Sequence, residues 1–466
     1  MLRHATLKVR NRKEESHDPA PLQGLGVRFL AFSQEYTPLF HVRTRDVSPQ
    51  ARQYLSGLLQ ATRRNIERMA EIVPDTDAQA LHHFLAHSPW DARAVMDQVA
   101  RDVDALLGGD QDCCLLLDET SFAKKGKKSV GVARQWMGRQ GKTDNCQVAV
   151  FAALARGRSV SLIDAELYLP QAWVKDPERC AAAGVPLERQ VLKTKPTLAL
   201  ELVQRARRNG VRFAWVAADG GYGQDRALLR ALDDAGETFV IDVHRDQRVF
   251  LEEPSRPGEE NPAGQTPQAA SVSVERWVAQ QPAEAWENVW VRHSSQGELR
   301  LEALRCPVWL LESGDAKARP WQLVVTREKA DPEAIKYSLS NAPVSTSLPR
   351  LAYMQRQRYW VERAFQEAKN EAGMDEYQAR SWQAWYHHMA LVMMALLFLL
   401  RERQLQREAL PLLSAGDVKI LLARVLPRRD EDPEEIIRQI QQRHRQRQAA
   451  IDSAYRRQKA DGNLTK

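Results

Sequence analysis

The sequence predicts an α/β protein whose central sheet is flanked by helical regions on both sides. Short apolar runs bounded by polar residues alternate with amphipathic segments in the middle of the chain. Apolar residues at helical spacing dominate before residue 110 and after residue 346. A chain of 466 residues is too long for one ordinary core, so more than one domain is expected.

The overall charge suits a nucleic-acid partner without requiring one. Lys and Arg number 67 against 60 Asp and Glu, so the net charge is +7 and the placement of the cations matters more than their total. Five cysteines without a CxxC pair argue against a disulfide framework or a structural zinc site and favour a reducing cytoplasm. The most apolar stretch, residues 389–400, is too short to span a bilayer and predicts a buried helix, so no membrane partner is expected.

The region before residue 110 divides into two predicted parts. Residues 1–38 are expected to be a disordered basic arm, and they lack the apolar core of a secretory signal. Residues 39–110 predict a helical domain, with Pro49 near the start of one helix and arginines on the polar side. Such basic faces fit DNA binding and simple solubility equally well.

Residues 111–245 predict a sheet with two interleaved helices. The expected elements are strands near 114–118, 129–136, 145–153 and 159–168, a helix at 196–209, a strand at 213–218, a helix at 225–235 and a strand at 238–243. This order is typical of a ribonuclease-H-like sheet, although other α/β domains share it.

Two aspartates stand at the ends of predicted strands. Asp118 follows an apolar run and precedes a basic turn, whereas Asp219 opens Asp-Gly-Gly-Tyr-Gly, whose glycines leave the carboxylate accessible. An acid beside cations can bring a metal ion and a phosphodiester together. Taken alone, each pattern is explained more simply by a strand-capping Asp, a solvated lysine turn or an Asp-Gly turn. The cations of the turn are Lys124, Lys125, Lys127 and Lys128.

Residues 246–345 predict a β-rich insertion that begins with a Pro- and Gly-rich linker at 254–270. Alternating segments are expected as strands at 272–277, 289–293, 298–305, 308–312 and 322–327. The tryptophans of this region are expected to be mostly core residues, although one could stack on an unpaired base.

A long helix is predicted from about Leu348 to Glu371. At about 100° per residue, Arg358, Glu362 and Lys369 fall along one edge of this helix, whereas Glu367 is expected to face solvent. An acid flanked by two cations can bind a metal while the cations hold phosphates. A surface ion pair between Arg358 and Glu362 is the simpler alternative.

The last part of the chain is predicted to be helical and basic. Residues 346–400 would hold the long helix and the buried apolar one, and residues 401–466 would form a helical tail. A final arginine-rich helix begins near Pro433. It fits a DNA-binding tail, a dimer-forming tail and a merely solvated helix.

Three separate blocks resemble the insertion-sequence 701 family of DDE transposases, which is related to the insertion-sequence 4 group. The segment Asp118-Glu119-Thr120-Ser121-Phe122-Ala123-Lys124-Lys125-Gly126 through Asn145-Cys146-Gln147 is similar to the first-aspartate block of that family. Asp219-Gly220-Gly221-Tyr222-Gly223 resembles its second-aspartate block. Arg358, Glu362 and Lys369 match the R-x3-E-x6-K part of the signature of DDE transposases related to the insertion-sequence 4 group. The resemblance covers roughly residues 40–400.

This resemblance implies a ribonuclease-H-like catalytic core built from residues 111–245 and 346–400. Asp118, Asp219 and Glu362 would bind two Mg²⁺ ions, with Mn²⁺ as a substitute, and hard Mg²⁺ does prefer oxygen ligands. Arg358 and Lys369 would contact DNA phosphates near the cleavage site. The four lysines of the basic turn are expected to be further phosphate contacts.

The implied function is that of a DNA transposase. It would cleave double-stranded DNA at element ends and join the 3′-hydroxyl ends to target DNA, as a homodimer on DNA in the bacterial cytoplasm. A nuclease without strand transfer and a domesticated non-catalytic DNA-binding protein are the alternatives. The family signature carries a Tyr three residues before the Arg, and Gln355 stands there in this sequence, which leaves a hairpin intermediate open.

Overall fold

The computed structural model describes residues 23–138, 141–254, 270–294, 297–311, 318–430 and 432–462. In this part of the chain the helices are α1 (Leu25–Glu35), α2 (Ser48–Gln60), α3 (Ile66–Ile72), α4 (Ala78–Ala86), α5 (Ala92–Leu107), α6 (Gln171–Val174), α7 (Pro177–Ala182), α8 (Lys195–Arg208), α9 (Gly220–Gly223), α10 (Arg226–Asp234), α11 (Val274–Ala279), α12 (Leu348–Arg356), α13 (Tyr359–Ala372), α14 (Trp382–Leu405), α15 (Ala415–Val425) and α16 (Pro433–Gly462). The strands are β1 (His41–Val42), β2 (Arg45–Asp46), β3 (Cys113–Ala123), β4 (Ala133–Met137), β5 (Lys142–Arg156), β6 (Ser159–Leu167), β7 (Trp215–Ala218), β8 (Phe239–Val243), β9 (Arg248–Val249), β10 (Val272–Ser273), β11 (Glu287–Ser294), β12 (Gly297–Leu310), β13 (Arg319–Glu328) and β14 (Asp331–Ser340).

A ten-stranded mixed sheet forms the centre of the fold. Its strand order is β11-β12-β13-β14-β8-β7-β3-β5-β4, and β6 pairs with β5 beside this path. Strands β3, β7 and β8 are parallel to one another, whereas β5 and β14 border them in the antiparallel direction. The predicted α/β class, with helical regions on both sides of a ribonuclease-H-like sheet, is confirmed.

The predicted β-rich insertion extends this sheet rather than packing as a separate layer. Strand β14 pairs antiparallel with β8, and Ser338 lies opposite Asp242 in that pairing. The strand expected at 272–277 is wrong beyond Ser273, because α11 begins at Val274 and buries Val274 and Val278 on one face. Ser273 accepts a hydrogen bond from the Arg276 amide and so caps this helix. Most of the predicted linker, residues 255–269, lies outside the described residues.

The predicted disordered arm at residues 1–38 is wrong for its last part. Helix α1 occupies Leu25–Glu35, and residues 1–22 lie outside the described residues. Phe29 and Phe32 each pack with their ring centroids 5.3 Å from that of Phe398 in α14. The guanidinium of Arg28 binds the buried Glu402 carboxylate at 2.7 Å. These contacts order a segment whose local sequence looked like a tail.

Helix α14 is the buried helix around which the helical regions assemble. By length and composition this helix could cross a membrane, but 89% of its apolar window is buried inside the fold. It packs against β6 on one side and against α2, α4 and α5 on the other. His387 and His388 are buried in this packing.

The long helix predicted from Leu348 to Glu371 is wrong in one respect, because it is broken into α12 and α13. Gln357 and Arg358 form the break, and Arg358 occupies the position before the first residue of α13, without a capping hydrogen bond from its side chain. Helix α13 ends at Gly373, whose φ of 64° is favourable for glycine. The break turns the Arg358 side chain towards the sheet.

Candidate active site

Three aspartates stand side by side where the parallel strands β3, β7 and β8 end or leave the core. The residues that immediately precede Asp118, Asp219 and Asp242 are paired with one another in parallel register. Neighbouring strands lie about 4.8 Å apart, so the three acids form a row across the sheet. The sequence predicted the first two. Asp242 was missed, although an acid inside the apolar strand Phe239–Val243 was a signal for it.

Burial and a neighbouring charge affect the Asp118 carboxyl group. Burial, together with the nearby charge of Asp219, raises the pKa of Asp118 to about 7. The Asp118 carboxylate accepts a hydrogen bond from the Glu119 amide at 2.7 Å. Asp219 caps the short helix α9, and its Oδ1 accepts a hydrogen bond from the Gly221 amide at 3.0 Å.

The Arg358 guanidinium lies over this row and contacts three carboxylates. Its nitrogen atoms lie 3.7 Å from Asp118 Oδ2, 3.4 Å from Asp242 Oδ2 and 3.0 Å from Glu362 Oε1. The Arg358 side chain is 19% exposed and that of Glu362 is 55% exposed. Arg358 therefore joins the acids of the sheet to the acid of α13.

The predicted triad and its two cations line one open cleft of about 750 Å³. Lys369 reaches it from α13, and its Nζ donates a hydrogen bond to Thr120 Oγ1 at 2.7 Å. Trp136 stands on the same wall with 61% of its surface exposed, and no pattern in the sequence singled it out. The residues that line the cleft are Asp118, Glu119, Thr120, Ser121, Trp136, Gly138, Val148, Asp219, Arg358, Glu362, Phe365, Gln366, Lys369 and Asn370.

Comparison with known proteins shows the family of the chain. Residues 35–298 match the model of a family described as DDE superfamily endonuclease. The chain belongs to the DDE endonuclease superfamily. Over 319 residues it is also 27% identical to a protein named "Probable transposase for insertion sequence element IS701" from Microchaete diplosiphon. The aligned region covers 68% of this chain and 72% of that protein. The predicted relationship to the IS701 DDE transposases is confirmed.

The family match includes two of the three proposed acids of this DDE endonuclease. The matched residues include Asp118 and Asp219 but end before Glu362. The assignment of Glu362 therefore depends on its sequence motif and on its place in the cleft.

The donor set of this DDE cleft fits a hard divalent cation in its chemistry. Asp118 and Asp219 offer oxygen ligands close enough to repel each other, and such a pair is stabilised by a cation. Among the described residues, however, no three His, Cys, Asp or Glu side chains are arranged so that they could hold a metal ion. Arg358 contacts both Asp118 and Glu362 and occupies the position of a counter-ion between them.

Two other glutamates near the site of this DDE endonuclease have different partners. Glu119 accepts hydrogen bonds from Lys195 Nζ at 2.5 Å and from the Tyr222 hydroxyl at 2.8 Å, on the side of β3 away from Asp118. Glu367 was expected to face solvent, and this is wrong. Its side chain is only 18% exposed and pairs with Arg403 at 3.1 Å, because α14 covers that side of α13.

The lysine turn of this DDE endonuclease lies away from the triad. Lys124, Lys125, Lys127 and Lys128 line a second cavity of about 1190 Å³, which shares no lining residue with the cleft of Asp118. The expectation that these lysines stand beside the first acid is therefore wrong. Strand β3 continues five residues beyond Asp118, about 16 Å, before the turn begins.

The turn is nevertheless a built feature of the fold. The Asn145 side-chain amide donates hydrogen bonds to the backbone oxygens of Lys124 at 2.5 Å and Gly126 at 3.0 Å. Arg179 donates another to the backbone oxygen of Lys127 at 2.8 Å. These bonds hold the exposed side chains of Lys125, Lys127 and Lys128 at the mouth of the second cavity.

Proposed function

We propose that this chain is a DNA transposase that cleaves DNA at element ends and joins the freed 3′-hydroxyl ends to target DNA. The observation that carries the proposal is the meeting of Asp118, Asp219 and Glu362 at one cleft, with Arg358 and Lys369 on its wall. One carboxylate lies within β3, one directly follows β7 and one lies on α13. Three such carboxylates, flanked by two cations, suit phosphoryl transfer.

We propose Asp118, Asp219 and Glu362 as the residues that hold Mg²⁺, with Mn²⁺ as a substitute. Two divalent ions at such a site supply an activated water or 3′-hydroxyl and stabilise the leaving oxygen. The cleft is open to solvent on the Glu362 side, which leaves room for a DNA strand. Arg358 presents a planar guanidinium suited to two phosphate oxygens, and Lys369 supplies a compact positive charge beside it.

The lysine turn would hold a different part of the DNA. Its distance from Asp118 along β3, about 16 Å, corresponds to roughly half a turn of duplex, so one strand could pass both places. Phosphate contacts of this kind are independent of base sequence and sensitive to salt. We expect Lys125, Lys127 and Lys128 to make them.

The remaining expectations concern the assembly and the location of the chain. We propose that the helical region at 39–110 and the basic tail at 401–466 add DNA contacts, and that two copies act together on paired ends. We expect this activity in the bacterial cytoplasm, on nucleoid DNA. The mass of the complex with an element-end duplex, measured by light scattering, tests the stoichiometry.

The first experiment measures cleavage of DNA that carries the flanking element ends. In the presence of Mg²⁺ the wild type should cut at the ends, and Glu362→Gln should bind the same DNA without cutting it. Glu371→Gln is the matched control, because Glu371 lies on the same helix and pairs with Lys419 instead. Cleavage that survives Glu362→Gln would show that the third carboxylate is assigned wrongly.

Strand transfer separates this proposal from a nuclease of the same fold. A duplex that already ends in the element's 3′-hydroxyl should become covalently joined to a supercoiled plasmid in the presence of the wild type. Cleavage of element ends without any joined product would favour the nuclease. DNA binding without either reaction would favour a domesticated non-catalytic protein.

A further inference from the structure

Asp242 lies beside the acids of the expected triad but is not one of them. It follows Asp118 and Asp219 in the row across the parallel strands, and its side chain is 18% exposed. One carboxylate oxygen, Oδ2, lies 3.4 Å from Arg358 Nε, and the other, Oδ1, accepts a hydrogen bond from Ser338 Oγ at 2.6 Å. The carboxylate is thus fixed between the sheet and the guanidinium.

A chain of oriented hydrogen bonds from buried side chains fixes the Asp242 carboxylate. The Gln355 amide donates to Ser338 Oγ at 2.8 Å, which leaves the single Ser338 hydroxyl proton for Asp242. Gln355 Oε1 in turn accepts from Thr326 Oγ1 at 2.5 Å. Gln355, Ser338 and Thr326 are all buried, so water does not compete for these bonds.

Arg358 divides its contacts between two kinds of carboxylate. Asp118 and Glu362 are proposed metal ligands, so any divalent cation at the triad competes with the guanidinium for them. Asp242 is outside the triad, and the hydrogen bond that it accepts from Ser338 involves none of the proposed metal ligands. When Arg358 is released from Asp118 and Glu362, Asp242 is the carboxylate that can retain it beside the cleft.

We infer that Asp242 is a positioning residue that keeps Arg358 over the active site while a divalent cation displaces it from Asp118 and Glu362. The inference rests on the proposed function, because it takes Asp118 and Glu362 as metal ligands. It also gives a role to Gln355, which stands where the family signature has Tyr and whose side chain faces the interior. The Gln355–Ser338–Asp242 chain sets the position of Arg358 from inside the sheet.

The test is a double-variant cycle of Mn²⁺ affinity, measured by electron paramagnetic resonance on the full-length protein without DNA. Arg358→Gln removes the competing cation and should tighten Mn²⁺ binding by about tenfold. Asp242→Asn leaves Arg358 bound only to the triad acids and should weaken Mn²⁺ binding by about tenfold. In the Arg358→Gln background, Asp242→Asn should change the Mn²⁺ affinity less than about twofold.

The comparison of Asp242→Asn in the two backgrounds distinguishes an effect through the position of Arg358 from a direct effect of the Asp242 charge on the ion. If Asp242 acted on the ion only through its negative charge, its removal would weaken Mn²⁺ binding equally in both backgrounds, and the inference would be overturned. An unchanged Mn²⁺ affinity in Asp242→Asn alone would overturn it as well. If either of these results is obtained while the wild type still cleaves element ends, the proposed function stands and only the role of Asp242 is wrong. Failure of the inference is therefore distinguishable from failure of the proposed function.

A second variant guards against loss of folding. Ser338→Ala keeps the Asp242 charge but removes the hydrogen bond that fixes it, and it should weaken Mn²⁺ binding by a few-fold in the wild-type background only. Asp233→Asn is the matched control, because Asp233 pairs with Arg319, whereas Asp242 pairs with Arg358. If Asp242→Asn does not fold and Ser338→Ala binds Mn²⁺ like the wild type, the inference is wrong.

Discussion

The ammonium group of Lys124 lies over the ring of Tyr377, 3.5 Å from its centroid. The same Nζ donates a hydrogen bond to the Tyr377 backbone oxygen at 3.2 Å, and burial lowers the pKa of Lys124 to about 8. Lys124 therefore ties the lysine turn to the segment between α13 and α14. The other three lysines of the turn are exposed at the second cavity and are therefore accessible to a ligand. They are Lys125, Lys127 and Lys128.

The lysine turn provides the first prediction. The triple variant Lys125→Ala, Lys127→Ala, Lys128→Ala should bind duplex DNA more weakly. The slope of log K against log salt, which is negative, should become smaller in magnitude by about 2–3, since each lost phosphate contact removes about 0.9. Fluorescence anisotropy across a salt series measures the slope.

Lys124→Ala is the matched control within the same turn. It should lower the free energy of unfolding by about 1 kcal/mol and leave the slope unchanged. Equal slopes in the triple variant and the wild type would contradict a DNA contact at the turn.

His388 makes the stability of the protein depend on pH. Burial lowers its pKa to about 3, while its Nδ1 lies 2.9 Å from the Tyr54 hydroxyl. Because the unfolded imidazole takes up a proton near pH 6.5, the unfolded state binds more protons below that pH. The contribution of His388 to the free energy of unfolding should therefore be intact above pH 6.5 and fall by up to about 1.4 kcal/mol per pH unit from there towards pH 3. Buried His387, whose pKa is lowered to about 4, adds a contribution in the same direction.

The check is urea unfolding at several values between pH 7.5 and pH 4.5. His388→Gln should be less stable at pH 7.5 but lose less stability on acidification than the wild type. Tyr54→Phe removes the hydroxyl next to His388 but keeps the titrating imidazole. The difference in stability between this variant and the wild type should therefore be similar at every pH. An equally steep acid dependence in His388→Gln and the wild type would exclude His388 as the cause.

Gly223 controls how closely α9 approaches the row of aspartates. A Cβ atom at this position would lie 1.9 Å from the Asp242 backbone oxygen, so β8 or α9 would have to move. Gly223→Ala should cost about 2 kcal/mol of stability and weaken Mn²⁺ binding, because α9 begins at the residue after Asp219. Gly126→Ala, where a Cβ meets nothing within 4 Å, should match the wild type in thermal unfolding and Mn²⁺ affinity. A Gly223→Ala protein as stable as the wild type would show that this approach is not needed.

Sequence patterns located most strands of the central sheet because their apolar runs are short and bounded by polar residues. They also brought out Asp118 and Asp219, each at the end of such a run. Register is a property of paired strands, so the alignment of Asp242 with these two acids could not be read from one strand. The break at Arg358 and the ordering of α1 escaped prediction for a related reason. Arg358 at the break contacts Asp118 and Asp242 of the sheet, and α1 packs against Phe398, so both features involve partners that are distant in the sequence.

The two glutamates of α13 should respond to substitution in opposite ways. Glu367 is paired with Arg403 under α14, so Glu367→Ala leaves Arg403 without that carboxylate and should cost about 2 kcal/mol of stability while cleavage at 25 °C persists. Glu362 is 55% exposed, so Glu362→Gln should change stability by less than about 0.5 kcal/mol and abolish cleavage. Thermal unfolding and cleavage of element-end DNA, measured on the same preparations, give both quantities. Loss of cleavage in a folded Glu367→Ala protein, together with activity in Glu362→Gln, would transfer the role of third carboxylate to Glu367 and require α13 to rotate on binding DNA.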